Sequence, residues 1–170
     1  HSRIPTPSPR TRFGVMAPHT YATSLTWTGS TGAGYRAYSR QHAVSASPAS
    51  QVLALSADPA FRGSAELLNP EQLVVAAASS CQLLSFLAVA ARSGHDVVSY
   101  VDQATAVMDL AADPPRLTSI DLHPVVTVRG DAEETLALLA EAHDQCYIAN
   151  SLLTPVVLHP VVVVEEGASS

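Results

Sequence analysis

Lysine is missing from this chain: all nine basic side chains in its 170 residues are arginine. The absence excludes Schiff-base catalysis and a phosphate-loop lysine. Charge is sparse, at 14% of residues, and the net balance is −6. A protein that grips a nucleic-acid backbone is ordinarily basic, so no nucleic-acid partner is expected. Cysteine is scarce as well. Cys81 and Cys146 are too few to make a disulfide framework. The first 20 residues lack the apolar core of a secretory leader, which predicts a reducing, cytoplasmic setting. No internal repeat is read in the sequence.

What is plentiful is apolar surface. Hydrophobic residues make up 47% of the chain, enough for one domain with a sizeable core. The Pro- and Arg-rich opening carries no periodic pattern. Residues 1–20 are therefore expected to form a disordered tail, partly foreign to the native chain, with Met16 a candidate start. Residues 21–166 are expected to form the folded domain. The uncharged run Leu73–Ala91 is long enough to span a bilayer. It is interrupted by Ser79, Ser80, Gln82 and Ser85 and bracketed by Glu71 and Arg92. The reading is a buried core or interface helix, with no membrane partner.

The chain reads as strands, helix, strands, helix, strand, which is an α+β domain. A hairpin is expected over "TYATSLTWTGSTGAGYRAYSRQHAVSA". Its turn is "GSTGAG", and Tyr38, Arg40 and His42 share one face of the second arm. "QVLALSA" is a third strand. Asn69, Pro70 and Gln72 form a helix-start signature, and Gly94 closes that helix. "DVVSYVDQATAVMDL" and "RLTSIDLHPVVTVRG" read as two strands. Asp131–Asn150 reads as a second helix. "TPVVLHPVVVVEE" reads as a final strand, with Pro160 marking an edge position or a bulge.

The chemistry-bearing residues are few. Cys81 lies about three turns inside the first helix, beyond the reach of its N-terminal dipole. A lowered pKa there calls for a nearby cation, and Arg40 and Arg62 are the candidates. Cys146 falls near the end of the second helix. Together the cysteines are buried hydrophobes, or a thiol pair in which one resolves the other. A metal reading through Cys81, His143 and Cys146 lacks a fourth ligand, so no metal is assigned. His42, His123 and His159 are read as solvated or core-satisfied. Glu71 stands ten residues before Cys81, about 15 Å along one helix. The two cannot share a compact site unless an arginine bridges part of the gap, or Glu71 of one subunit approaches Cys81 of another.

These residues resemble a family. "NPEQLVVAAASSCQLLSFLAVAARSG" is similar to the first-cysteine segment of the OsmC/Ohr thiol peroxidases. "AHDQCYIANS" is similar to the second-cysteine segment. The resemblance covers roughly Tyr21 to Glu166. It implies an OsmC-like fold, an intertwined homodimer with antiparallel sheets wrapped around two long central helices. It also implies the reduction of organic hydroperoxides in oxidative or osmotic stress defence. Cys81 would attack the peroxide and Cys146 would resolve the sulfenic acid. Glu71 with Arg62 or Arg40 would assist, Arg62 being slightly favoured by its loop position. An external dithiol, of lipoyl type or a small thiol, would recycle the enzyme, and no cofactor is implied. Gln82 stands where many members carry an aromatic or histidine, and Tyr147 where a proline is common. "SRQH", "FRG" and "CYIANS" look more like a third, less characterised OsmC-like branch. The alternative reading is a non-enzymatic ligand-binding or redox-sensing dimer, with Leu83, Leu84, Phe86 and Leu87 lining an apolar pocket.

Overall fold

The computed structural model describes residues 17–167, so most of the expected tail lies outside the described residues. In chain order the elements are β1 (Ser24–Thr26), β2 (His42–Ser45), β3 (Val52–Leu55), a 3-10 turn (Pro59–Phe61), α1 (Pro70–Arg92), β4 (Asp96–Asp102) and β5 (Thr105–Asp109). Then come β6 (Arg116–Leu122), β7 (Pro124–Arg129), α2 (Ala132–Asp144), α3 (Tyr147–Ser151), β8 (Val156–Leu158) and β9 (Val161–Val164). The fold is α+β, as the order of elements led one to expect.

The start of α1 follows from its sequence. The Asn69 side chain accepts from the Gln72 N–H at 2.9 Å, and the Gln72 side chain accepts from the Asn69 N–H at 3.0 Å. This reciprocal box satisfies two backbone donors that a helix start leaves orphaned. Pro70 has no N–H to lose at that position. At the other end Gly94 takes a left-handed φ of +68°, which glycine tolerates without strain.

Among the described residues the strands form three sheets of three, ordered β1-β2-β3, β4-β7-β9 and β5-β6-β8. Each of the long strands read from the sequence divides between two sheets. β4 and β5 belong to different sheets, as do β6 and β7, and β8 and β9. Proline explains two of these corners. Pro124 and Pro160 have no N–H for a ladder, so the chain leaves one sheet there and enters the next. The edge position expected from Pro160 is met, since β8 and β9 are both edge strands.

The sheets are not antiparallel throughout. β8 runs parallel to β6 and β9 parallel to β7, because α2 and α3 carry the chain back between them. This pairing also exposes a short repeat. The sequence Leu122–Val126 is LHPVV, and so is Leu158–Val162. Leu122 pairs with Leu158, and Val126 with Val162. The two copies run side by side around the same corner, and the rings of His123 and His159 stack with centroids 4.8 Å apart.

The core has two centres on α1. Phe86, Val89 and Ala90 pack with Val126 and Val128 of β7 and with Leu138, Leu139 and Ala142 of α2. Two to three turns earlier, Ala78 packs with Ile120 and Leu122 of β6. Asp102 ties the sheets to this helix: its carboxylate accepts from Ser79 Oγ at 2.5 Å and from the His123 N–H at 2.7 Å. α1 is long and apolar enough to cross a membrane by length and composition, yet one face of it is committed to this core.

The expected N-terminal hairpin forms, β1 pairing antiparallel with β2, but with shorter strands and a wider loop. Residues 27–41 form turns, not two long strands. Arg40 folds back, donating to the carbonyls of Tyr38 (2.5 Å) and Tyr35 and placing its guanidinium over both rings. Trp27 Nε1 donates to the Ser39 carbonyl at 2.9 Å and meets Tyr38 edge to face. These side-chain bonds compete with a strand ladder and hold a wide aromatic loop.

Candidate active site

The decisive local feature is a break in the expected second helix. α2 ends at Asp144, and Cys146 has extended backbone (φ −68°, ψ 110°) as the residue that precedes α3. Cys146 is thus not a helix-face residue. Its side chain is 1% exposed and turned inward, and the first N–H groups of α3 are left without intrahelical partners.

Cys81, half-buried on α1, faces this break. Burial alone would raise its pKa. The opposing donors are the Ile148 N–H, the Cys146 thiol, the Tyr147 N–H and the Ser85 hydroxyl. They prevail, and the Cys81 thiol lies below the ordinary cysteine value. Cys146 moves the opposite way. Burial pushes it up, the Ala149 N–H opposes that, and the neighbouring Cys81 sulfur adds to the rise against a smaller lowering by the Ile148 N–H. Both cysteines are free thiols. The pair therefore holds one thiol disposed to ionise beside one disposed to stay protonated.

Within this chain none of the groups that shift Cys81 is an arginine. Backbone amides at the break supply the lowering that the sequence reading had looked for in a guanidinium. Among the described residues, Arg92, which the sequence reading treated only as a bracket of the apolar run, shares a cavity with Cys81. That cavity, about 240 Å³, is lined by Cys81, Leu84, Ser85, Ala88, Arg92, Gln145 and Tyr147. Positions 81, 85, 88 and 92 share one helix face, so helical periodicity alone could have found Arg92 and Ser85.

The other expected residues lie elsewhere in the chain. Glu71 is in the first turn of α1 and lines a separate cavity of about 440 Å³ with Asp58, Phe61, Ser79 and Asp102. Arg40 lines a third cavity, about 350 Å³, with Trp27, Tyr38, His42 and Pro70. Arg40 and Glu71 are thus both beside the start of α1, away from their own Cys81. Arg62 is exposed, with a left-handed φ of 65°, just after the 3-10 turn. The turn is sterically tight: a Cβ on Gly63 would meet the Ala57 carbonyl oxygen at 1.6 Å.

His143 does not turn towards the sulfurs. Its Nδ1 lies 3.2 Å from Gln82 Oε1 and its Nε2 lies 2.9 Å from the Val156 carbonyl. Among the described residues no cluster of three metal-ligating side chains occurs. The expected apolar lining also divides. Phe86 is fully buried in the core, whereas Leu84 lines the Cys81 cavity and Leu83 and Leu87 line a shallow one beside β4. Tyr100, packed on Phe86, buries a hydroxyl with no hydrogen-bond partner. Burial, with Asp102 and Cys146 nearby, pushes that hydroxyl well above the ordinary phenol range.

Comparison with known proteins decides the family. Residues 63–160, more than half of the chain, match the model for OsmC-like proteins. This chain belongs to the OsmC-like family. Among solved structures it is similar to an OsmC-like protein of unknown function from Vibrio cholerae. The identity is 27% and the TM-score 0.76, over 84% of this chain and 99% of that one. It also shares its fold with an organic hydroperoxide resistance protein OsmC from Legionella pneumophila, at 20% identity and TM-score 0.64, over 88% and 100% of the two chains. An organic hydroperoxide resistance protein from Elizabethkingia anophelis is similar at 18% identity and TM-score 0.65, over 88% and 99%. No protein of curated function matches the sequence. The OsmC-like match includes both cysteines, Glu71 and Arg92, and leaves out Arg40 and Arg62.

Proposed function

We propose that this OsmC-like protein is a thiol-dependent reductase of organic hydroperoxides, serving stress defence. The observation that carries the reading is the Cys81–Cys146 pair, free thiols near enough to act on each other and shifted in opposite directions. The chemistry then runs in two steps. The Cys81 thiolate attacks the terminal peroxide oxygen, the O–O bond breaks, and the alcohol departs with a proton, leaving a sulfenic acid. The Cys146 thiol next attacks that sulfur, the S–O bond breaks, and water leaves as the disulfide forms. An external dithiol, of lipoyl type or a small thiol, restores both thiols by exchange.

Glu71 and Arg40 enter this reading through a second subunit. Glu71 is in the first turn of α1, about 15 Å along the helix from its own Cys81, and Arg40 shares a cavity with Pro70 at that end. In a homodimer with α1 helices side by side, that end of one helix reaches the middle of the other. Exposed apolar residues on α1, such as Leu84 at 63%, support such a contact. In the same assembly Arg40 or Arg62 would bind the peroxide, with Glu71 orienting the guanidinium. The setting consistent with free thiols is the cytoplasm.

The test is turnover. Purified protein with cumene hydroperoxide and dihydrolipoamide is expected to consume peroxide catalytically, and Cys81→Ser is expected to abolish consumption. Tightly retained ligand with no turnover on any dithiol would favour a non-enzymatic ligand-binding or redox-sensing dimer. The mostly apolar cavity around Trp27 and Tyr38 is the observation on that side.

A further inference from the structure

Gln82 follows Cys81 on α1, turned about 100° away from it. It is fully buried, in a position otherwise surrounded by core. A buried amide is costly unless its hydrogen bonds are made. Here they run to one element. Gln82 Nε2 donates to the Leu139 carbonyl of α2 at 3.2 Å, and Gln82 Oε1 lies 3.2 Å from His143 Nδ1, also on α2. His143 carries the tie onward, since its Nε2 lies 2.9 Å from the Val156 carbonyl of β8. Both ring nitrogens thus face oxygen acceptors, and a neutral ring donates to one of them at a time.

We propose that Gln82 and His143 form a buried strut that fixes the resolving thiol against the attacking one. The strut joins the helix carrying Cys81 to the last turn of α2, and Cys146 is three residues beyond His143. It also joins that turn to β8, on the far side of the α3 segment. Cys146 is thereby held from both ends of the break. Gln82 is a positioning residue: it touches neither sulfur nor peroxide, and it acts foremost on the second step, where Cys146 is itself the reacting group. This deepens the peroxidase reading and rests on it. It also gives Gln82 a role where many family members carry an aromatic or a histidine.

The experiment uses Gln82→Met, which keeps side-chain length and removes both polar ties. One equivalent of cumene hydroperoxide is added to reduced protein. Sulfenic acid is trapped with dimedone, and the disulfide is followed by mass spectrometry. Peroxide loss in the first turnover is expected to slow less than disulfide formation does. Disulfide formation is expected about tenfold slower, since misplacing a reacting group by about an ångström costs on that order or more. Dimedone-labelled Cys81 should rise accordingly. Disulfide formation at the wild-type rate in folded Gln82→Met overturns the proposal. If that variant does not fold, His143→Leu, which leaves the Gln82–Leu139 bond, is expected to show the same delay, and wild-type timing there overturns it. If wild type consumes no peroxide, the peroxidase reading fails by itself. The strut is then read from diamide-driven formation of the same disulfide, expected to be slower in either variant and contradicted by equal rates.

Discussion

The Cys81 sulfur on α1 faces the backbone N–H of Ile148 in the first turn of α3. With the Tyr147 N–H, the Cys146 thiol and the Ser85 hydroxyl, this donor outweighs the burial that opposes ionisation. The arrangement places a thiol disposed to ionise beside one disposed to stay protonated, in a chain with no lysine.

Ionisation of Cys81 is the first consequence. Donors that face the anion favour loss of the proton, so the thiolate forms at lower pH than in an ordinary cysteine. The iodoacetamide rate at Cys81, measured against pH, should rise with a midpoint below that of free cysteine. Cys146→Ala removes one donor and should move the midpoint up, and Ser85→Ala should move it up less. A midpoint at or above the free-cysteine value contradicts this reading of the site.

Loss of the α1 capping box should cost stability at the end that carries Glu71. Asn69→Ala deletes the acceptor for the Gln72 N–H, and the expected loss is about 1 kcal/mol, at most about 2. Urea unfolding measures it. An unchanged midpoint would mean that water replaces the cap without cost.

Gly63 is required by space. Gly63→Ala would place its Cβ within 1.6 Å of the Ala57 carbonyl oxygen, so the loop after β3 must move. A destabilisation of about 3 kcal/mol or more is expected from such overpacking. Thermal unfolding of the variant tests it, and wild-type stability would show that the turn yields easily.

How much of this was legible beforehand divides by physical cause. The start of α1 was fully readable, since capping is local chemistry encoded in Asn69, Pro70 and Gln72. The α+β order and the edge character of Pro160 were also readable. The sheet changes were not. Each long β-rich run looks continuous, and only tertiary pairing shows that Pro124 and Pro160 are corners. The LHPVV repeat is too short to stand out until its two copies pair in parallel. The break at Cys146 carried no Gly or Pro signal, so the segment read as one helix. That miss hid the backbone donors and led to the search for a cation. Glu71 was picked from the family resemblance and Arg40 as a cation near α1 in sequence, and the separation of Glu71 from Cys81 within one chain follows from helix length alone.

Association is the next expectation. Sedimentation equilibrium should give the mass of two 17.8 kDa chains, and Leu84→Arg, on the exposed face of α1, should shift it towards one chain and reduce turnover. A wild-type monomer with full activity would remove the cross-subunit role proposed for Glu71, Arg40 and Arg62.

The most direct measurement is a thiol count. Reduced protein is titrated for free thiols under denaturing conditions before and after one equivalent of cumene hydroperoxide. The account requires two thiols lost in wild type, with a Cys81–Cys146 disulfide in the peptide map, and none converted to disulfide in Cys81→Ser. Two free thiols remaining in wild type after peroxide treatment would contradict it.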